Sequence, residues 1–160
     1  KGTGLQRRRD ACFCSGRTRP PVTLMIPDLE DVFERQARRY DRPLGTWAEL
    51  EKKAFGQAVG LNGYTILAEA EELAYLSEAK VAGPVLDLGT GRGWPGWLIA
   101  ERAERNLVAT DVPMAGLQHA REAFAARDLT LRTQVIASDG MALPFASETF
   151  SSVVHTDVFC

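Results

Sequence analysis

Three acidic residues and a glycine-rich loop carry the chemistry legible in this sequence of 160 residues. Asp87-Leu88-Gly89-Thr90-Gly91-Arg92-Gly93 sets glycine at alternate positions, directly after a short apolar run and before a segment of helical composition. Glycine adopts positive φ and lets a ligand press against the backbone. The helix that follows offers free N–H groups and the positive end of its dipole. Asp111 closes the next apolar run, 20 residues after Gly91. A carboxylate there can accept hydrogen bonds from both hydroxyls of a ribose, in the crevice beyond the carboxyl ends of parallel strands. Ser138-Asp139-Gly140 ends a third run, and the Asp139 carboxylate can accept from an exocyclic adenine amine. A structural glycine turn beside a solvated aspartate is the plainer alternative, and the position of Asp111 weighs against it.

Two nucleoside ligands compete for this loop. Gly91-Arg92-Gly93-Trp94-Pro95-Gly96 also fits the dinucleotide fingerprint of NAD-dependent dehydrogenases. Three features oppose that choice. Asp87 lies in the strand just before the loop, where a pyrophosphate gains nothing from added negative charge but the ammonium of a methionine moiety does. Asp139 adds a third acidic strand end beside the same crevice. The nucleotide strand begins near residue 85, behind a helical leader, rather than near the start.

The elements that must position these groups follow from periodicity. Leu29, Val32, Phe33, Ala37 and Tyr40 recur at helical spacing, with Asp28 as a cap. Thr46 and Glu49 have capping-box spacing ahead of Leu50, Ala54 and Phe55. Asn62-Gly63 marks a turn, and Thr65 can cap a third helix carrying Ile66, Leu67, Ala70, Leu73 and Ala74. Past Gly83-Pro84 the pattern changes. Strands are expected at 85–88, 107–111, 131–138 and 150–159, with helices over 94–104 and 114–127. Pro95 suits a first helical turn. Strands alternating with helices indicate a parallel sheet. The domain division is a basic head at 1–24 with the composition of a disordered tail, a helical leader or lid at 25–83, and a nucleoside-binding unit at 84–160.

Residues 84–157 resemble a class I S-adenosylmethionine-dependent methyltransferase domain of the small-molecule type. The resemblance rests on Val85 to Gly93 as the glycine-rich motif, Asp111 followed by Val112, Asp139, and Leu143-Pro144-Phe145 with Phe150 and Val153-Val154. It implies an α/β fold, a Rossmann-like three-layer αβα arrangement with a mostly parallel sheet, here preceded by the helical leader. It also implies seven strands. Four are legible, so the sheet is expected to be incomplete, with Val153, Val154, Val158 and Phe159 partly exposed at its edge. Ser151 stands where the family usually has Asp, and the bulk of Trp94 and Pro95 is expected to narrow the methionine end of the pocket. The implied cofactor is S-adenosyl-L-methionine, held by Asp87, Gly89, Thr90, Gly91, Gly93, Asp111, Val112, Asp139, Gly140 and Thr156. The implied reaction is in-line methyl transfer to a small-molecule acceptor. A catalytically silent S-adenosylmethionine-binding fragment is the alternative from another class.

A general base is needed only if the acceptor must first lose a proton. His155 and Asp157, at the end of the fourth strand, are weak candidates; alternation would put them on one face. His119 is expected at the surface, and Tyr64 in packing. No metal site is expected, because Cys12 and Cys14 form a lone C-x-C without a second pair and Cys160 has no patterned partner. The unpatterned cysteines favour a reducing cytoplasm. Net charge is −2, of which residues 1–24 contribute +5. That balance gives no global reason to expect nucleic acid or an acidic membrane as partner.

Overall fold

A computed structural model describes residues 29–41, 45–60, 63–78 and 83–158. The basic head, Asp28, Asn62, Phe159 and all three cysteines lie outside the described residues. The leader forms three helices, α1 (Leu29–Tyr40), α2 (Gly45–Phe55) and α3 (Leu67–Ser77). Then follow β1 (Val85–Leu88), α4 (Gly96–Arg102), β2 (Leu107–Asp111), α5 (Met114–Ala125), β3 (Thr133–Ala137) and β4 (Ser152–His155). The four strands are parallel in the order β3-β2-β1-β4. This is the Rossmann-like α/β arrangement that the alternation of elements predicts, in a sheet that does not close.

Side chains alternate across a strand, and the register fixes which ones share a face. Val85 stands beside Leu107 and Ser152, and Asp87 beside Ala109 and Val154. Val85, Leu107, Ala109 and Val154 enter the core with Trp97, Leu98, Ile99, Ala120 and Phe124 from α4 and α5, and Ala70 and Ala74 from α3. The helices therefore cover the face that carries Asp87. Leu86, Val108, Ile136 and Val153 belong to the opposite face, where Gly140 approaches Leu88. Of the residues expected at an exposed edge, Val154 is instead buried in the core, while Val153 is 56% exposed.

The first two strands have the expected bounds, the third and fourth are shorter than their apolar runs, and the fourth differs most. It ends at His155, and Asp157 takes φ +58°. Strand alternation therefore does not reach Asp157. Helix α2 also departs from expectation. It starts at Gly45, so Thr46 lies inside it, and Glu49 pairs with Lys52 at 3.1 Å instead of capping. Leu50 is half exposed while Glu51 is buried. The reason is the turn after the helix, where Glu51 Oε2 accepts from the N–H of Val59 (2.7 Å) and Gly60 (2.8 Å). A carboxylate that satisfies two backbone donors is better placed inside than an apolar neighbour. Pro95 precedes the first residue of α4.

Phe124 is fully buried between α5 and the sheet, whereas Leu131 is 97% exposed. Phe124→Ala should cost about 3–5 kcal/mol and Leu131→Ala less than about 0.5 kcal/mol, read from urea unfolding. Equal effects would contradict this assignment of the core.

Candidate functional site

The site is built where β1 and β2 end. The ladder continues into the loop, because the Thr110 carbonyl accepts from both Gly89 N–H (2.8 Å) and Thr90 N–H (2.9 Å). The loop then reverses through three left-handed glycines, Gly89 at φ +75°, Gly91 at +56° and Gly93 at +95°. A Cβ at Gly93 would press on the Ala120 backbone of α5 at 3.2 Å, so this glycine also permits close packing of the helix.

Asp111 fastens the loop. Its Oδ2 accepts from Gly91 N–H at 2.7 Å, and its Oδ1 from Val112 N–H at 2.7 Å. A carboxylate has about four acceptor positions, so two bonds orient Asp111 and still leave lone pairs for a ligand. Beside it lies a cavity of about 220 Å³. Gly89, Asp111, Val112 and Thr156 line it from the sheet side. Phe33, Gln36, Arg39 and Tyr40 of α1 line it from the leader side. Thr90, Gly91 and Gly93 shape the loop without being among the residues that line the cavity.

Other expected site residues stand elsewhere. Asp87 is 1% exposed, tucked beneath the first turn of α4 so closely that a Cβ on Gly96 would collide with its Oδ2. Among the described residues, neither its carboxylate oxygens nor the Thr90 hydroxyl has a hydrogen-bond partner. Asp139 is exposed, closes a turn onto Met141 N–H at 2.8 Å, and like Gly140 is not among the lining residues. His155 is exposed and lines neither described cavity, whereas Asp157 lines both. The Asp157 carboxylate accepts from Tyr64 N–H (2.7 Å), Thr65 N–H (3.4 Å) and the Thr65 hydroxyl (3.3 Å). It ties the end of β4 to the leader. Val158 then lies across Gly89, where a Cβ would collide with its Cγ2.

Spacing alone did not reveal how the leader is attached. Trp94 Nε1 donates to the Thr65 carbonyl at 2.8 Å, and Trp97 Nε1 to the Val59 carbonyl at 3.1 Å. Trp94 also lines the cavity, as its bulk suggested. The Arg92 guanidinium is buried and donates to the carbonyls of Tyr40 and Arg39 at the end of α1. Tyr64 is 83% exposed rather than packed, and it joins the cavity to a second, open groove of about 390 Å³ along α3. His119 is partly exposed and bonds Glu122 at 3.4 Å.

Residues 85–160 match the family model described as a methyltransferase domain. Over that stretch, just under half of the chain, the sequence is similar to methyltransferase domains. Its fold is similar to that of geranyl diphosphate methyltransferase solved with GPP and sinefungin, at 15% identity and TM-score 0.61, over 78% of this chain and 55% of that one. It is similar as well to an S-adenosylmethionine-dependent methyltransferase from Thiobacillus denitrificans solved with S-adenosyl-L-homocysteine, at 15% identity and TM-score 0.54, over 73% and 44%. YjhP from E. coli, at 16% identity, gives TM-score 0.54 over 62% and 40%. The chain spans between two fifths and just over half of these proteins. No curated protein matches it in sequence. Among the described residues, no helix is long and apolar enough to cross a membrane.

Two acids flanking the glycine loop are perturbed. Burial pushes the Asp87 carboxyl from its ordinary 3.8 up to about 6; the nearby Thr90 hydroxyl tempers the shift without reaching hydrogen-bond geometry, and the negative Asp111 adds to it. Burial also raises Asp111, against the two N–H bonds from Val112 and Gly91 that favour its charged form. An acid whose pKa is higher folded than unfolded keeps an extra proton in the fold. Its ionisation therefore costs nothing below the unfolded pKa and its full amount above the folded one. For Asp87 the loss accumulates as pH rises from about 4 through about 6 and reaches about 3 kcal/mol. Asp87→Asn should remove most of this slope and be the more stable protein above neutrality, measured by urea unfolding at mildly acidic and mildly alkaline pH. Identical slopes in the two proteins would show that Asp87 is not the buried acid responsible.

Proposed function

We propose that the cavity beside Asp111 binds S-adenosyl-L-methionine and that the domain transfers its methyl group to a small-molecule acceptor. The observation that carries this is the Asp111 carboxylate. It is oriented by Gly91 and Val112, lines the cavity, and has lone pairs left for two ribose hydroxyls. The residues present fit the cofactor. Gly89 and Gly91 hold positive φ where backbone must face a ligand. Val112 offers an apolar surface for adenine beside Asp111, and Thr156 lines the same side of the cavity just past β4. Asp87 places a buried carboxylate without a described partner under the loop, the chemistry an ammonium would compensate. Asp139 and Gly140, one turn past β3, would meet adenine once a ligand extends beyond the described cavity. At about 220 Å³ the cavity is smaller than the roughly 300 Å³ at which ligand pockets begin. Room is gained by shifting Val158 off Gly89.

When bound, S-adenosyl-L-methionine supplies a methyl group that its sulfonium already makes electrophilic, so an acceptor lone pair forms the new bond as the C–S bond breaks. The chain has to position the partners and exclude water, and positioning of this kind contributes about 7–11 kcal/mol. Tyr64, Thr156 and Asp157 form the boundary shared by the cavity and the open groove, and we assign acceptor entry to that boundary. Asp157 acts there mainly by holding residues 64–65, since its carboxylate already accepts from them. His155 stays outside the cavity and is the weaker candidate for a base.

Calorimetric titration tests the cofactor. S-adenosylhomocysteine should bind and NAD should not. Asp111→Ala should weaken S-adenosylhomocysteine by about 2–4 kcal/mol, because charge-assisted bonds contribute about 1.5–3 kcal/mol each and need not add. Tight NAD binding without a response to S-adenosylhomocysteine would sink the proposal, as would an unchanged affinity in folded Asp111→Ala.

A further inference from the structure

We propose that Arg92 is a positioning residue that clamps the end of α1 against the glycine loop and so holds the outer wall of the cofactor cavity in place; the proposal rests on the S-adenosylmethionine reading of that cavity. The backbone of Arg92 lies between Gly91 and Gly93, within the cradle itself. Its side chain points away from the cradle and is 6% exposed. The guanidinium donates to the carbonyls of Tyr40 and, at 3.5 Å, of Arg39. These carbonyls belong to the last turn of α1, where intrahelical donors run out and the negative end of the helix dipole lies. Both bonds leave one nitrogen, Nη2, whose permanently charged N–H groups meet two adjacent carbonyls.

Packing brings the loop and α1 together a second time, now with α5. The Tyr40 ring lies over Gly116 at the start of α5, where a Cβ would stand 3.1 Å from Tyr40 Cδ2 and 3.0 Å from the Gly91 carbonyl oxygen. Loop, α5 and α1 therefore meet at one point, and Gly116 leaves the space for it. Phe33, Gln36, Arg39 and Tyr40 give α1 its share of the cavity wall. The tryptophan and Asp157 bonds secure other residues of the leader, Val59, Tyr64 and Thr65. A ligand that orders the loop backbone thus also orders α1 through Arg92, and linkage makes the effect reciprocal.

The test compares Arg92→Met and Arg92→Lys with the wild-type chain in three measurements: trypsin cleavage within α1 after Arg35 and Arg38 read by mass spectrometry, the urea midpoint, and S-adenosylhomocysteine affinity. Arg92→Met should speed cleavage in α1 about fivefold or more and weaken S-adenosylhomocysteine about tenfold or more. Arg92→Lys should recover part of both, as it keeps a charged donor for these carbonyls but loses the planar guanidinium that fills the buried site. S-adenosylhomocysteine should slow cleavage of α1 in the wild type and not in Arg92→Met. A folded Arg92→Met chain with α1 cleavage indistinguishable from wild type would overturn the proposal, whatever its affinity. If Arg92→Met does not fold, Arg92→Lys carries the same comparison, and unchanged α1 cleavage there would overturn the proposal equally. Failure of the wild-type chain to bind S-adenosylhomocysteine would overturn the cofactor reading alone, because ligand-free cleavage of α1 still decides whether Arg92 clamps it.

Discussion

A single carboxylate bonded to a single amide organises this molecule. Asp111 at the end of β2 accepts from Gly91 N–H in the loop after β1, a pairing that joins two neighbouring strand ends beside the cavity. Partial burial makes the charge costly, and two N–H donors offset that cost. The bond demands that Gly91 present its amide inward, which its left-handed conformation achieves. The same turn directs Arg92 and Trp94 to carbonyls of the leader. Cradle and leader attachment are thus two faces of one backbone reversal.

From this follows how the leader and the sheet-bearing half hold together. The bonds between them mostly run from a side chain on one side to a backbone group on the other: Trp94 to Thr65, Trp97 to Val59, Arg92 to Tyr40, and Asp157 to Tyr64. Bonds of this type fix a segment's path while leaving its side chains free to face the cavity. The leader walls the pocket for that reason, with Tyr40 on one side and Tyr64 at the mouth. Asp157 and Val158 close the sheet side, one by holding the leader and the other by lying on Gly89.

The sequence made the sheet and its ligand end legible because both depend on local pattern. Apolar runs, alternate glycines and an acid 20 residues on are each spaced along the chain, and β1, β2, the loop and Asp111 follow them closely. Where the fold depended on distant partners the pattern was silent. Glu51 displaces Leu50 from the inner face of α2 because of backbone donors eight and nine residues away, which helical periodicity does not register. The end of β4 turns at Asp157 because its carboxylate meets the leader more than 90 residues back. His155 and Asp157 consequently part company, although alternation would pair them. Arg92 has no role assigned by the spacing of the motif, and only the three-dimensional approach of α1 reveals the bonds it makes.

The central claim is that the loop held by Asp111 is a cofactor cradle, and a crystal structure of the chain with S-adenosylhomocysteine tests it most directly. The expected result places both ribose hydroxyls within hydrogen-bond distance of the Asp111 carboxylate, with the bond to Gly91 N–H retained and Val158 moved off Gly89. A ligand seated elsewhere, or an Asp111 side chain that leaves Gly91 to reach it, would contradict the claim.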